Sequence, residues 1–442
     1  MPEAPATSAF QTVSQLAALP AVHRAFQWLH LQEPRLRSWQ REITSIPAPP
    51  FGEHARATWL CDQFTTLGLE DVHIDACGNA LGWLRKQDGL DGRDDSAVIR
   101  SSVDMSGVEI SDAEVERNSQ PCTLLSAHID TVFPAEAMRT PSEKDTFLFG
   151  PSASDNSAGV TAMLALAAVL RSTDLQEQIA GDILFAGNVG EEGEGNLRGM
   201  RHLCTASPFS HRIGAAVVLD GPGIESIVTQ GLGSRRFRVS VSGPGGHSWT
   251  DAGIPNPILV LSAALAEMQK VEVPRFPRTS WNVGHIEGGT AVNAIPEKVE
   301  ARIDMRSVES TQLVRLEVAL HRAVEDAVHA ANSHASRQPK HIPLEYSIEM
   351  IGERPAARLP ESARLLAVIR AVDRHMAIRS ELRTASTDAN IPLSLGVEAI
   401  SIGSGGSGGG MHTREEWFDA TGRDLGLRRI LLLLLALMQI PE

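Results

Sequence analysis

At 442 residues the chain is too long for one compact core, so two domains are the default expectation. Its 42% hydrophobic and 21% charged residues are the ordinary balance of a soluble globular protein. The formal net charge of −14 argues against nucleic acid or an anionic membrane surface as the main partner.

Residues 1–20 carry neither a basic n-region nor a continuous apolar stretch, so no signal peptide is expected. The longest apolar run, 430–438, falls far short of a membrane span and reads as the buried face of a terminal helix. Cys61, Cys77, Cys122 and Cys204 show no C-x-x-C spacing, which suits reduced, buried thiols in a cytoplasmic protein.

Residues 1–35 read as an irregular or helical arm, and 38–46 as an amphipathic helix ended by the prolines at 47, 49 and 50. A helix over 53–67 stops at Gly68, and short strands at 71–75 and 80–85 flank the Gly78-Asn79 turn. The acid-rich stretch 87–120 lacks sustained periodicity and is expected as a surface excursion. Then come an apolar strand at 123–127, a helix at 157–170, strands at 182–189 and 215–219, and a helical stretch at 199–205. Strands alternating with helices predict an α/β fold with a doubly wound, mostly parallel sheet.

The pattern changes after Gly231. Strands at 235–241, 280–287, 297–306 and 344–350, with helices at 256–270 and 311–332, give a β-α-β-β-α-β order, that of a ferredoxin-like unit. The expected organisation is a catalytic domain from 1–230 and 354–442 with an inserted lid or dimerisation domain at 231–353. Alternation returns with a helix at 360–374, a strand at 397–402, a glycine-rich loop and a C-terminal helix.

Chemistry-bearing residues gather where apolar strands end. His128 and Asp130 follow the strand at 123–127, and Asp155 precedes the next helix. His-x-Asp alone is weak, since about one chance match is expected from composition. His73-Ile74-Asp75 repeats the tripeptide but precedes a Gly-Asn turn, so His73 is read as structural. Glu191 and Glu192 follow the strand at 182–189, and Asp220 follows 215–219. Adjacent carboxylates repel in a solvated turn; in a site, one could bind metal while the other accepts a proton. Several such strand ends in one parallel sheet point to the edge where these sheets bind ligands.

The order His-x-Asp, Asp-Asn, Glu-Glu, Asp, then a late His after a glycine loop resembles the dinuclear zinc metallopeptidases. That family includes peptidase T, carboxypeptidase G, aminoacylase, acetylornithine deacetylase and succinyl-diaminopimelate desuccinylase. The resemblance runs from about Ile46 to Trp417. It implies two Zn2+ ions per chain, with Co2+ or Mn2+ as substitutes, held by His128, Asp155, Glu192, Asp220 and His412. Asp155 would bridge them, Asp130 would orient His128, and Glu191 would be the general base. In the inserted domain, His247 matches the histidine thought to polarise the scissile carbonyl. Asn293 and Arg306, 13 residues apart, match a pair gripping a substrate carboxylate.

The implied substrate is a small peptide or an N-acyl amino acid, and a homodimer could form through a sheet edge of the inserted domain. Asp220 resembles the di- and tripeptidase branch, where deacylase relatives more often carry Glu. The chain departs from the family pattern at Pro151-Ser152-Ala153-Ser154, where glycines usually precede the bridging Asp, and in the Gly-Ser loop before His412. The stretch Ser386-Thr387-Asp388-Ala389-Asn390 is family-like and receives no role. Two other readings compete. Gly405-Gly406-Ser407-Gly408-Gly409 satisfies the pattern of a serine nucleophile elbow, although a run so rich in Gly and Ser does so trivially. A non-catalytic binding protein that kept the fold is the other.

Overall fold

The chain opens with four helices, α1 (Pro5–Ala17), α2 (Pro20–Leu31), α3 (Glu33–Thr44) and α4 (His54–Thr66), and a hairpin of β1 (Glu70–Ile74) and β2 (Ala80–Leu84). The computed structural model describes residues 5–86, 102–103, 109–110, 120–172, 175, 178–335 and 342–439. The stretch expected as an acidic excursion therefore lies mostly outside the described residues. Within it β3 (Ser102–Val103) pairs with β4 (Glu109–Ile110). The chain divides into two units, Met1–Thr229 with Arg358–Glu442, and Gln230–Ala357.

The larger unit is built on four parallel strands. In β5 (Cys122–His128) and β8 (Asp182–Asn188) every residue is buried, as a strand covered on both faces requires. β9 (Ile213–Leu219) and β19 (Glu398–Ile402) complete the parallel set, in the order β8-β5-β9-β19. Antiparallel strands extend both sides: β2 and β1 next to β8, and β10 (Ser226–Gly231) next to β19. The full nine-stranded order is β1-β2-β8-β5-β9-β19-β10-β17, with β17 at Ala357–Arg358 and β18 (Glu381–Ala385) also paired to β10.

Helix α5 (Ser157–Ser172) is apolar on all sides and buried along its length, packing on β5, β8, β9 and helices α2, α3 and α4. The terminal helix α11 (Arg423–Gln439) buries Ile430 to Leu437 against α1, α2, α5 and β5. Among the described residues no helix is long and apolar enough to cross a membrane. The remaining helices of this unit are α6 (Arg198–Thr205), α9 (Arg364–His375) and α10 (Asn390–Ser394).

Along the chain, β8 follows β5 and lies on one side of it, while β9 comes next and lies on the other. The winding reverses at β5, and such sheets bind ligands at the carboxyl ends beside that reversal. His128 ends β5 there. A separate sheet, β20-β21-β7-β6, joins β6 (Ser142–Lys144) and β7 (Phe147–Phe149) to β20 (Ser407–Gly409) and β21 (Trp417–Asp419). It fastens the segment before Asp155 to the segments on either side of His412.

The smaller unit contains β11 (Gly233–Ser242), α7 (Pro257–Met268), β13 (Thr279–Gly288), β15 (Lys298–Ser307), α8 (Ser310–Ala335) and β16 (Glu345–Arg354). Its antiparallel sheet runs β13-β15-β11-β16, the ferredoxin-like order. Alternation decides its faces. Phe237, Val239, Val299, Ala301, Ile303 and Met305 face Leu261, Leu316 and Leu320 of the two helices. On the other face Arg238, Glu300, Arg302 and Lys298 form a charged network. A short ladder of β12 (Gly246–His247) and β14 (Ala294–Ile295) extends from it.

Candidate metal centre

The loops that follow strands and the turn before α5 deliver the larger unit's expected ligands to one place. His128 is 1% exposed, and its Nε2 stands 3.1 Å from Asp155 Oδ1 and 3.9 Å from Asp220 Oδ1. The other Asp155 oxygen, Oδ2, is 3.1 Å from His412 Nε2, which is also 3.1 Å from Glu192 Oε1. Asp155 thus turns one carboxylate oxygen to each imidazole. His128, Asp155 and Glu192 each place a donor atom within 4.8 Å of the others.

The donor set fits a metal ion of borderline character. Imidazole nitrogen and carboxylate oxygen are zinc ligands, and bonds of about 2.0–2.1 Å in a tetrahedral site put donors about 3.3 Å apart. Contacts of 3.1 Å between imidazole and carboxylate are close to that separation.

The loops around the cluster are tied to one another. Asp130 is fully buried, and its two oxygens accept the backbone N–H groups of Glu191 (3.0 Å) and Glu192 (2.7 Å). The acid pair therefore hangs from the end of β5 as well as from β8. Arg198 donates to both oxygens of Glu53, at 2.8 and 2.7 Å, beside the same turn. Asn156 donates to the Leu219 carbonyl and accepts from the N–H groups of Gly159 and Gly221. This clamps the start of α5 onto the end of β9, which brings Asp155 near Asp220. A Cβ at Gly159 would meet the Asn156 side chain at 2.3 Å and the Leu219 carbonyl oxygen at 2.8 Å. Only glycine permits that approach.

Charge is strongly coupled here. Burial alone would lower His128, but its bonds to Asp130 and Asp155 hold it well above the usual histidine range. Bonds to Asp155 and then Glu192 raise His412 to about 10. Burial would raise Asp155, yet its bonds to His128 and His412 keep it below the usual carboxylate range. Burial raises Asp220 to about 7. The carboxylates thus favour positive charge at both imidazoles.

Several neighbours were not legible beforehand. Glu416 is 1% exposed and accepts the backbone N–H groups of Ser152, Ser154 and Asp155. Burial raises its carboxyl to about 7, against those three bonds that favour its ionised form. Arg56 is buried between Asp130 and Glu416; burial lowers it to about 10, leaving it a cation at neutral pH. The family-like stretch that received no role contributes Asp388, fully buried, whose Oδ2 accepts from Asn188 at the end of β8. The one signal for Glu416 was an acid in the turn after His412.

Other expectations come out differently. Ser407 lies in β20 opposite Asp419, not on a sharp turn leading into a helix, so the nucleophile-elbow geometry is absent. His73 is exposed and bonds the Asp71 carbonyl, while Asp75 caps its own turn by accepting from Cys77, Gly78 and Asn79.

In the smaller unit His247 and Asn293 are neighbours, because the Ser248 N–H donates to the Asn293 carbonyl. The Trp249 N–H donates to His247 Nδ1, so the ring proton resides on Nε2. Arg306 is 41% exposed and donates to Asp304 at 2.7 Å. Asn293 lies beyond the Lys298 end of β15, whereas Arg306 is near the other end, about 25 Å away at the rise of a strand. Their spacing therefore does not make them side-by-side partners within one chain. Most of the length of β15 separates them.

The sequence profile of peptidase family M20/M25/M40 matches residues 124–436. The chain belongs to that family. Members are metal-dependent, and the His128–Asp155–Glu192 cluster could hold a metal. The chain is 26% identical over 223 residues to a probable carboxypeptidase of Aspergillus flavus, covering 45% of this chain and 51% of that one. It is 33% identical over 183 residues to a succinyl-diaminopimelate desuccinylase of Albidiferax ferrireducens, covering 39% and 46%. The matched region spans about half the length of these curated relatives. In fold it is similar to the aminopeptidase PepT of Bacillus cereus, with a TM-score of 0.67 at 18% identity over 91% of this chain and 98% of that one.

Proposed function

We propose that this M20-family protein is a metal-dependent hydrolase of small peptides, acting with two zinc ions held by His128, Asp155, Glu192, Asp220 and His412. The observation that carries the reading is the Asp155 carboxylate, with one oxygen 3.1 Å from each of two imidazoles that themselves come from distant strand ends. Bound metal supplies Lewis acidity, polarising a carbonyl oxygen and making water acidic enough to attack near neutral pH. Glu191 takes the proton of the attacking water and delivers it to the departing amine, so it ends the cycle ionised again. Asp130 keeps His128 oriented while pinning the Glu191-Glu192 backbone. His247, with its proton on Nε2, is a donor suited to an oxyanion. Arg306 presents a guanidinium fork suited to a substrate carboxylate. A homodimer formed through the smaller unit belongs to the same proposal, since β13 is an edge strand of its sheet.

The relatives named for carboxypeptidase and desuccinylase activity favour a second reading, an N-acyl amino acid deacylase or carboxypeptidase of the same family. Free di- and tripeptides assayed beside N-acyl amino acids separate the two. The parent proposal is tested by elemental analysis and by chelation. About two zinc ions per chain, with turnover lost on chelation and restored by zinc, cobalt or manganese, is the expected result. Turnover that survives exhaustive chelation but is abolished by a serine-directed phosphonate overturns it in favour of Ser407. A protein that binds no offered metal overturns it in favour of the binding-protein reading.

A further inference from the structure

Glu416 stands four residues beyond His412 and is 1% exposed. An ionisable side chain is buried to that degree only when its oxygens are bonded. Oε2 accepts the Ser152 N–H at 2.8 Å, and Oε1 accepts those of Ser154 (2.8 Å) and Asp155 (2.7 Å). Three amides of one loop converge as in an anion-binding nest, and the chain's own carboxylate fills it. The Glu416 carbonyl in turn accepts the Gly150 N–H at 2.9 Å, and pairing of Trp417 with Phe149 continues the contact. From below, Arg56 donates to the Ile129 carbonyl (3.0 Å) and to Ser152 Oγ (3.1 Å), linking the end of β5 to the same loop.

The loop needs such a peg. Ser152 takes φ +70°, a left-handed conformation that an L side chain disfavours. The three amides also point inward, away from water, and need an acceptor.

We propose that Glu416 is a positioning residue for the metal centre: by accepting three backbone N–H groups it fixes the main chain of 152–155 so that Asp155 faces both His128 and His412. The inference rests on the metal reading above and adds a residue to which that reading gives no task. Because His412 and Glu416 share one short segment, that segment supplies one ligand and sets another. Loss of Glu416 should loosen Asp155 without removing any donor atom.

The test is Glu416→Gln, whose amide group would turn a donor toward at least one of the three amides. Zinc affinity is measured by equilibrium dialysis, and the visible spectrum is recorded with cobalt in place of zinc. The expected result is affinity roughly 10–100-fold weaker, the range for losing a group that orients a metal ligand, with altered cobalt bands. A role confined to folding would lower the thermal midpoint of the metal-free protein and leave both readouts of the folded fraction unchanged. A folded variant with wild-type affinity and spectrum overturns the role of Glu416 alone. Wild-type protein that takes up neither zinc nor cobalt overturns the metal reading and this proposal with it. Should the variant not fold, hydrogen exchange on metal-free wild-type protein decides. The Ser152, Ser154 and Asp155 amides should exchange as slowly as those of β5, and exchange at exposed-loop rates refutes the peg.

Discussion

Glu191 and Glu192 are adjacent in sequence and both at least nine-tenths buried, and Glu192 Oε1 stands 3.1 Å from His412 Nε2. Two neighbouring acids can divide the labour of binding and proton transfer because Asp130 pins both of their backbone N–H groups. Glu191→Gln should keep the metal content of wild type and lower kcat by about 10²–10⁴, the usual contribution of a positioned base. Glu192→Gln should instead bind one metal equivalent more weakly. Metal analysis beside kinetics checks both, and exchanged phenotypes would reverse the assignment. The thiols allow a second residue-scale test. Burial pushes Cys61 up to about 11 and Cys122 and Cys204 to about 12, and it raises Cys77 as well. A raised thiol is neutral at pH 8 and a poor nucleophile, so a thiol reagent should label the native protein slowly and the urea-unfolded protein fast. Rapid labelling of any one thiol in the native state would show that its site opens.

Helices α9 and α11 are joined by a buried ion pair. Arg429 is fully buried, with Nε 2.6 Å and Nη2 2.8 Å from the two oxygens of Asp373. Asp373→Ala would strand a guanidinium away from water and should cost about 3–5 kcal/mol of stability, whereas replacing both partners by apolar residues should cost far less. Urea unfolding measures each; a loss under about 1 kcal/mol for the single variant would mean that water reaches Arg429. The same helix shows what sequence can convey. Its run of leucines announces burial, but nothing local says that an arginine inside that helix is buried too, because its partner is 56 residues away. The parallel strands were legible because cover on both faces demands mostly apolar runs, as at 123–127, 182–189 and 215–219. β20 and β21 were not, since Ser407-Gly408-Gly409 has poor strand propensity and is ordered by pairing with Trp417 to Asp419. Likewise, His128, Glu192 and Asp220 drew attention by their places after apolar strands, and the resemblance added Asp155 and His412 as expected ligands. Glu416 acts on backbone amides more than 260 residues away, a contact without a local pattern.

At the scale of the whole molecule, the proposed ligands span 128 to 412, so bound metal would tie together segments that the unfolded chain holds far apart. Zinc at 100 times its dissociation constant should add about 2.7 kcal/mol to the larger unit's stability, read as a rise in thermal midpoint on titration. An unchanged midpoint would mean that the metal binds the unfolded chain equally well, or not at all.

On the proposed reading, Arg306 of the smaller unit bears on which substrates are accepted. On β15, Arg302, Asp304 and Arg306 share the face away from the helices, and Arg306 already holds Asp304 at 2.7 Å. A local pair of this exposure contributes little to stability, so Arg306→Ala should leave the unfolding transition nearly unmoved. On the proposed reading its effect is expected in catalysis instead. Losing one partner of a charged recognition pair costs about 2–5 kcal/mol when the pair is buried, and a guanidinium 41% exposed before binding belongs at the lower end. About 2 kcal/mol, roughly a thirtyfold fall in kcat/KM, is therefore expected for peptides with a free C-terminus. Peptides with an amidated C-terminus should be poor substrates of the wild type and lose little further in the variant. Equal losses on both would show that Arg306 serves the sheet and reads no carboxylate.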